Sequence, residues 1–159
     1  MKHFLTALAL SGTLFASGGV LAQDTGISVE NGDRIARIGG CHDCHTPGFA
    51  EANGELDPAQ ALVGSPVGYQ GPWGTTYASN LRIVAAGMGE EEFADYLRNL
   101  QAMPPMPWFN LHYFTDNELR SLHQYIVSLG EVGEPAPAYV PPGEAPQTPF
   151  IVFAPPQMP

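Results

Sequence analysis

The chain's only two cysteines lie three positions apart, and a histidine follows the second directly: Cys41-His42-Asp43-Cys44-His45. In a C-x-x-C-H run two thiols on one turn of chain can form thioethers with porphyrin vinyl groups while the adjacent imidazole reaches iron, which is the attachment signal of a c-type haem. Because the two links hold the macrocycle in place, the imidazole of His45 meets the iron at high effective concentration and becomes its proximal ligand through Nε2. His42 then points elsewhere. The bland alternative is a disulfide or a thioredoxin-like redox pair, but a pair of that type wants a strand before it and a βαβ surround, and neither is legible. Zinc is served poorly by two Cys and one His within five residues and no distant second pair.

Composition narrows the setting. A length of 159 residues fits one domain of ordinary size, and a net charge of -10 argues against nucleic acid as a partner. Charged residues make up 14%, against about 25% in a typical globular chain, while Gly 18 and Pro 16 are abundant. A loop-rich fold with few, short helices is expected. Two cysteines are too few for a small disulfide scaffold. Lys2 and His3 precede an apolar run from Phe4 to Ala16, and small residues then lead to Val20-Leu21-Ala22. That pattern reads as a signal peptide over residues 1–22, cleaved after Ala22, and the run is short of the roughly 20 apolar residues of a spanning helix. Its removal takes away Lys2, the only lysine, leaving the five arginines against 16 acids.

Along the mature chain, Ser28 is placed to cap a helix with Ile35 and Ile38 on one face, and Gly39-Gly40 end it ahead of the cysteines. Thr46 to Gly89 is punctuated by Pro47, Pro58, Pro66 and Pro72 and reads as loop, with one helical turn around Ala59 to Val63. A loop this long wraps something functional. Glu90, Glu91 and Glu92 suit the first turn of a helix carrying Phe93, Leu97 and Leu100, closed by Pro104. Thr115-Asp116-Asn117-Glu118 is a capping box, and Leu119, Leu122, Ile126 and Leu129 form an apolar stripe that stops at Gly130. Nine of the residues 131–159 are proline, which favours an extended tail, and Phe150-Ile151-Val152-Phe153 suggests that it lies against the domain.

A closed iron site needs a sixth ligand, and a thioether opposite histidine raises the reduction potential. Met88, Met103, Met106 and Met158 are the candidates in the mature chain. Met103 and Met106 stand out because each precedes a proline, in Ala102-Met103-Pro104-Pro105-Met106-Pro107-Trp108, and is pushed into extended backbone. Met106 is favoured, since it lies just before the turn into the last helix. The alternative is that both sulphurs only pack against the haem, with His112 or His123 as ligand or none at all.

These residues resemble the bacterial monohaem class I c-type cytochromes, of the type associated with periplasmic dehydrogenase electron-transfer systems. The likeness runs from about Val29 to Gly130. It rests on Ile38-Gly39-Gly40-Cys41-His42-Asp43-Cys44-His45-Thr46-Pro47, on Gly71-Pro72-Trp73-Gly74 with Ala78-Ser79-Asn80-Leu81, and on Met106-Pro107-Trp108 ahead of the Leu119 to Leu129 helix. The resemblance implies a mainly α cytochrome c fold: a haem domain over residues 23–130 with a few short helices wrapped around one covalent haem, then a Pro-rich tail over 131–159. It further implies thioethers at Cys41 and Cys44, axial His45 and axial Met106. The N-terminal helix would cross the C-terminal one with Gly39 or Gly40 permitting close approach beside Tyr125. Trp73, Tyr77, Asn80 or Arg82 are the implied candidates to donate to the haem propionates, although many relatives carry Thr and a Pro-Asp turn where this chain has Arg82.

The function expected is a periplasmic one-electron carrier, as soluble shuttle or haem subunit of a dehydrogenase, and not an enzyme in its own right. Its redox partner would present a basic docking surface, and any membrane contact would run through that partner. The competing class is a haem enzyme or gas sensor with an open or labile sixth iron site. A third reading makes the proline-rich tail a docking arm.

Overall fold

A computed structural model of the protein describes residues 26–154 and 156. The expected signal peptide and Met158 lie outside the described residues. The elements run α1 Val29–Ile38, α2 Cys41–His45, β1 Gly68–Gly71, β2 Gly74–Tyr77, α3 Leu81–Ala86, α4 Glu90–Asn99, a 3-10 helix Trp108–Tyr113, α5 Asp116–Ser128 and β3 Phe150–Val152. No described helix is long and apolar enough to cross a membrane.

The cap residues act where the sequence places them. Ser28 Oγ accepts the Asn31 N–H at 3.1 Å and starts α1. At α5 Thr115 Oγ1 accepts the Glu118 N–H at 3.3 Å while Glu118 Oε2 accepts the Thr115 N–H at 2.9 Å, so two orphan donors are satisfied reciprocally. Three acids, Glu90, Glu91 and Glu92, occupy the first turn of α4, at the positive end of its dipole.

The fold rests on the crossing of α1 and α5. Ser121, fully buried on α5, accepts from the Ser28 N–H at 3.2 Å and from Asn31 Nδ2 at 3.3 Å and donates to the Asn117 carbonyl at 2.6 Å. The close approach is made by Gly32, not by Gly39 or Gly40: a Cβ at Gly32 would collide with the Ser121 carbonyl and Tyr125 Cβ. Gly39 faces the Phe114 ring instead. The buried face of α1 is thus Asn31, Gly32, Ile35 and Ala36, and Ile38, expected beside Ile35, is 67% exposed at the helix end beyond the crossing. Ile35, Leu119, Leu122 and Ile126 join Phe93 and Leu97 of α4 in one apolar core.

Between residues 46 and 89 the chain is more ordered than its glycines and prolines predict. β1 and β2 form an antiparallel hairpin closed at Gly71 opposite Gly74, and α3 begins at a cap on Asn80, whose Oδ1 accepts the Arg82 N–H at 3.0 Å. The tail returns to complete a sheet of order β2-β1-β3, β3 pairing parallel to β1 with Tyr69 opposite Ile151. The fold is therefore helical with a small mixed sheet, and the sheet is absent from the sequence reading. Its strands are three or four residues long and β3 finds its partner far back along the chain.

Candidate functional site

Cys41–His45 forms a single short helix, so Cys41, Cys44 and His45 reach one cavity of about 300 Å³ while His42 faces the other way. No disulfide joins the cysteines. Burial pushes the Cys41 thiol up to about 11, which keeps it a neutral thiol. The described residues hold no cluster of three or more His, Cys, Asp or Glu suited to a metal.

His45 is buried with Nδ1 2.7 Å from the Ser79 carbonyl. A carbonyl only accepts, so Nδ1 carries the proton and Nε2 is left as a free lone pair. Burial lowers the pKa of His45, opposed by that same carbonyl, and the ring stays neutral and ligand-ready. His42 is enclosed on the opposite side, with Nδ1 2.8 Å from Thr46 Oγ1 and Nε2 3.4 Å from the Tyr125 hydroxyl. Its ring centre lies 5.1 Å from that of Phe49.

The segment between α4 and the 3-10 helix brings both Met103 and Met106 to the wall of the same cavity. Met88 packs against the core without lining the cavity. The two competing histidines are engaged elsewhere. His112 Nε2 sits 3.1 Å from the Leu100 carbonyl, and His123 Nε2 lies 3.0 Å from the Met88 carbonyl and 3.2 Å from that of Ala85. Neither lines the cavity.

The remaining walls are largely apolar, from Leu81, Val84, Phe93, Leu97, Leu122 and Ile126, and are joined by Tyr69, Thr76 and Tyr77 of the hairpin. Burial, then a hydrogen bond shared with Cys44, raises the pKa of Tyr69, so its hydroxyl stays protonated. Two thiols, one free imidazole lone pair and two thioethers around an apolar interior fit an iron porphyrin, and no lysine or arginine lines the space.

Of the four candidates for the propionates, the structure brings only Tyr77 to the cavity wall. Trp73 Nε1 donates to the Tyr69 carbonyl at 3.3 Å and its ring packs on Phe153. Asn80 is occupied on both sides, capping α3 through Oδ1 and donating through Nδ2 to the carbonyls of Val132 and Glu134. Arg82 is buried and donates to the carbonyls of Ala61 at 2.7 Å, Leu129 at 3.2 Å, Glu131 at 3.1 Å and Pro58. Its guanidinium ties loop, helix end and tail together. For Asn80 and Arg82 the difference lies in α3, unforeseen in sequence, which gives the cavity Leu81 and Val84 instead, and for Trp73 in the turn between β1 and β2.

Sequence reasoning also missed Tyr69, Thr76, Pro137 and Tyr139, all of which line the cavity. Gly71-Pro72-Trp73-Gly74 between two short runs was the available sign of a hairpin, and hence of Tyr69 and Thr76. No local signal marks Tyr139, whose place depends on where the tail returns.

Comparison with known proteins gives one family. A family model described as Cytochrome c matches residues 29–130. Neither a curated protein nor a solved structure matches the chain.

Proposed function

The chain belongs to the cytochrome c family, and on that premise we propose that it is an exported, periplasmic one-electron carrier with His45 and Met106 as axial ligands. The prosthetic group is covalent haem c, whose iron supplies the one-electron couple. Cys41 and Cys44 hold it by thioethers, the Ser79 carbonyl fixes the His45 tautomer, and the apolar walls from α3, α4 and α5 keep water out. No bond of a substrate needs to be made or broken.

The observation that carries this reading is the placement of the Met103–Met106 segment on the wall of the cavity that Cys41, Cys44 and His45 line. Of the two sulphurs Met106 is the proposed ligand, because it leads directly into the 3-10 helix and the α5 cap that anchor it. Visible spectra of ferric and ferrous protein decide the matter. Met106→Ala loses the weak far-red band of thioether-bound ferric iron and binds cyanide quickly at neutral pH, while Met103→Ala keeps the band. Rapid cyanide or carbon monoxide binding by the unmodified protein would instead support an open site and the enzyme or sensor reading.

The partner reading rests on charge. Arg34, Arg37, Arg98 and Arg120 are each paired with an acid, and Arg82 is spent on carbonyls. Outward-facing net charge is therefore negative, which suits a partner with a basic docking surface, such as a dehydrogenase. Its association would weaken as salt rises.

A further inference from the structure

The tail beyond Gly130 lies outside the residues that the family model matches, yet it is fastened at three successive places. It starts under Asn80 Nδ2, which reaches the carbonyls of Val132 and Glu134, and under Arg82, which holds that of Glu131. Farther along, the Thr75 N–H donates to the Val140 carbonyl at 2.8 Å and the Val140 N–H to the Thr75 carbonyl at 3.0 Å. Beyond that, β3 joins β1, Tyr77 and Thr148 share a hydroxyl hydrogen bond of 2.9 Å, and the Phe153 ring packs on Tyr69 and Trp73.

Between the first two fastenings, Pro137 and Tyr139 line the cavity. Tyr139 is fixed there by its hydroxyl, which donates to the Trp73 carbonyl at 2.8 Å. The backbone is shaped to receive it: Gly74 has φ 97°, and a Cβ at that position would collide with the Val140 carbonyl and crowd the Tyr139 ring. Such a seat, with one glycine in the left-handed region and paired backbone bonds, is not what a loosely trailing end makes.

We propose that residues 131–140 are a structural wall of the cofactor cavity, with Tyr139 as a positioning residue that keeps water from the cofactor's edge and thereby holds the reduction potential up. The physical reason is that water stabilises the more highly charged ferric form, so an edge opened to solvent lowers the potential. This rests on the reading of the cavity as a haem c site. It adds a part of the chain to which the haem signal gives no role.

Three variants test it in the holoprotein. Asn80→Asp keeps the oxygen that caps α3 but sets a carboxylate against the Val132 and Glu134 carbonyls. Tyr139→Phe removes only the bond to Trp73, and Tyr139→Ala removes the ring. The absorption spectrum of the alkaline pyridine adduct first establishes covalent haem in each; its absence from the unmodified protein would overturn the haem reading itself, separately from this proposal. Deuterium exchange at the Thr75 and Val140 amides then reports the seating of the tail, and a spectroelectrochemical titration reports the potential. Asn80→Asp and Tyr139→Ala are expected to exchange about tenfold faster or more at those amides and to lower the potential, with Tyr139→Phe shifting less in the same direction. An unchanged potential despite faster exchange, or unchanged exchange in all three, overturns the proposal. If Tyr139→Ala does not fold, the other two variants decide between these outcomes.

Discussion

His42 has no solvent exposure, and burial, with Arg37 nearby, lowers its pKa from 6.5 to about 4. Between those two values the unfolded chain binds a proton that the folded chain refuses. Its contribution to stability is full above pH 6.5 and is lost as pH falls toward 4. Urea unfolding of the holoprotein at pH 7 and pH 5 should show the loss, and His42→Gln should flatten the difference between the two. Gly32 offers a second test, because any side chain there must displace the Ser121 carbonyl at the α1–α5 crossing. Gly32→Ala is expected to cost about 2–3 kcal/mol in the same assay, whereas Gly26→Ala, with nothing near its Cβ position, should be close to neutral.

Among the elements, α1, α4 and α5 are written in local signals: the Ser28 cap, the Glu90–Glu92 first turn and the Thr115/Glu118 box all act within four residues of chain. Replacing Thr115 with Ala should therefore cost about 1 kcal/mol, read from the urea midpoint. α3 and the three strands are not legible in that way. α3 has six residues and the strands three or four, too few for a hydrophobic period to emerge, and β3 is defined by a partner strand it meets only after the chain has folded back. The same cause hid the true work of Arg82. With four backbone carbonyls depending on it, Arg82→Met should destabilise by at least about 3 kcal/mol and loosen the tail. Stability close to that of the unmodified protein would contradict this role.

For the whole molecule, the haem-attachment residues were legible because thioether chemistry demands one fixed spacing, and the cavity beyond them was not, because its walls come from α2 to α5, the β1–β2 hairpin, the 3-10 helix and the tail. That convergence makes the fold depend on what fills its centre. In a chain with Cys41→Ala and Cys44→Ala the apolar walls of that cavity would face water in place of a cofactor. The longest helix among the described residues has only 13 residues and is marginal alone. Far-ultraviolet circular dichroism should accordingly find that variant largely unfolded, and native-like helicity would contradict the cofactor-centred core. The most direct test of all is the intact mass of the protein purified from a host able to attach haem c. One haem added per chain, with the addition lost when both cysteines are replaced, is the predicted result. A mass equal to that of the polypeptide alone, or two hydrogens less as for a Cys41–Cys44 disulfide, would contradict it.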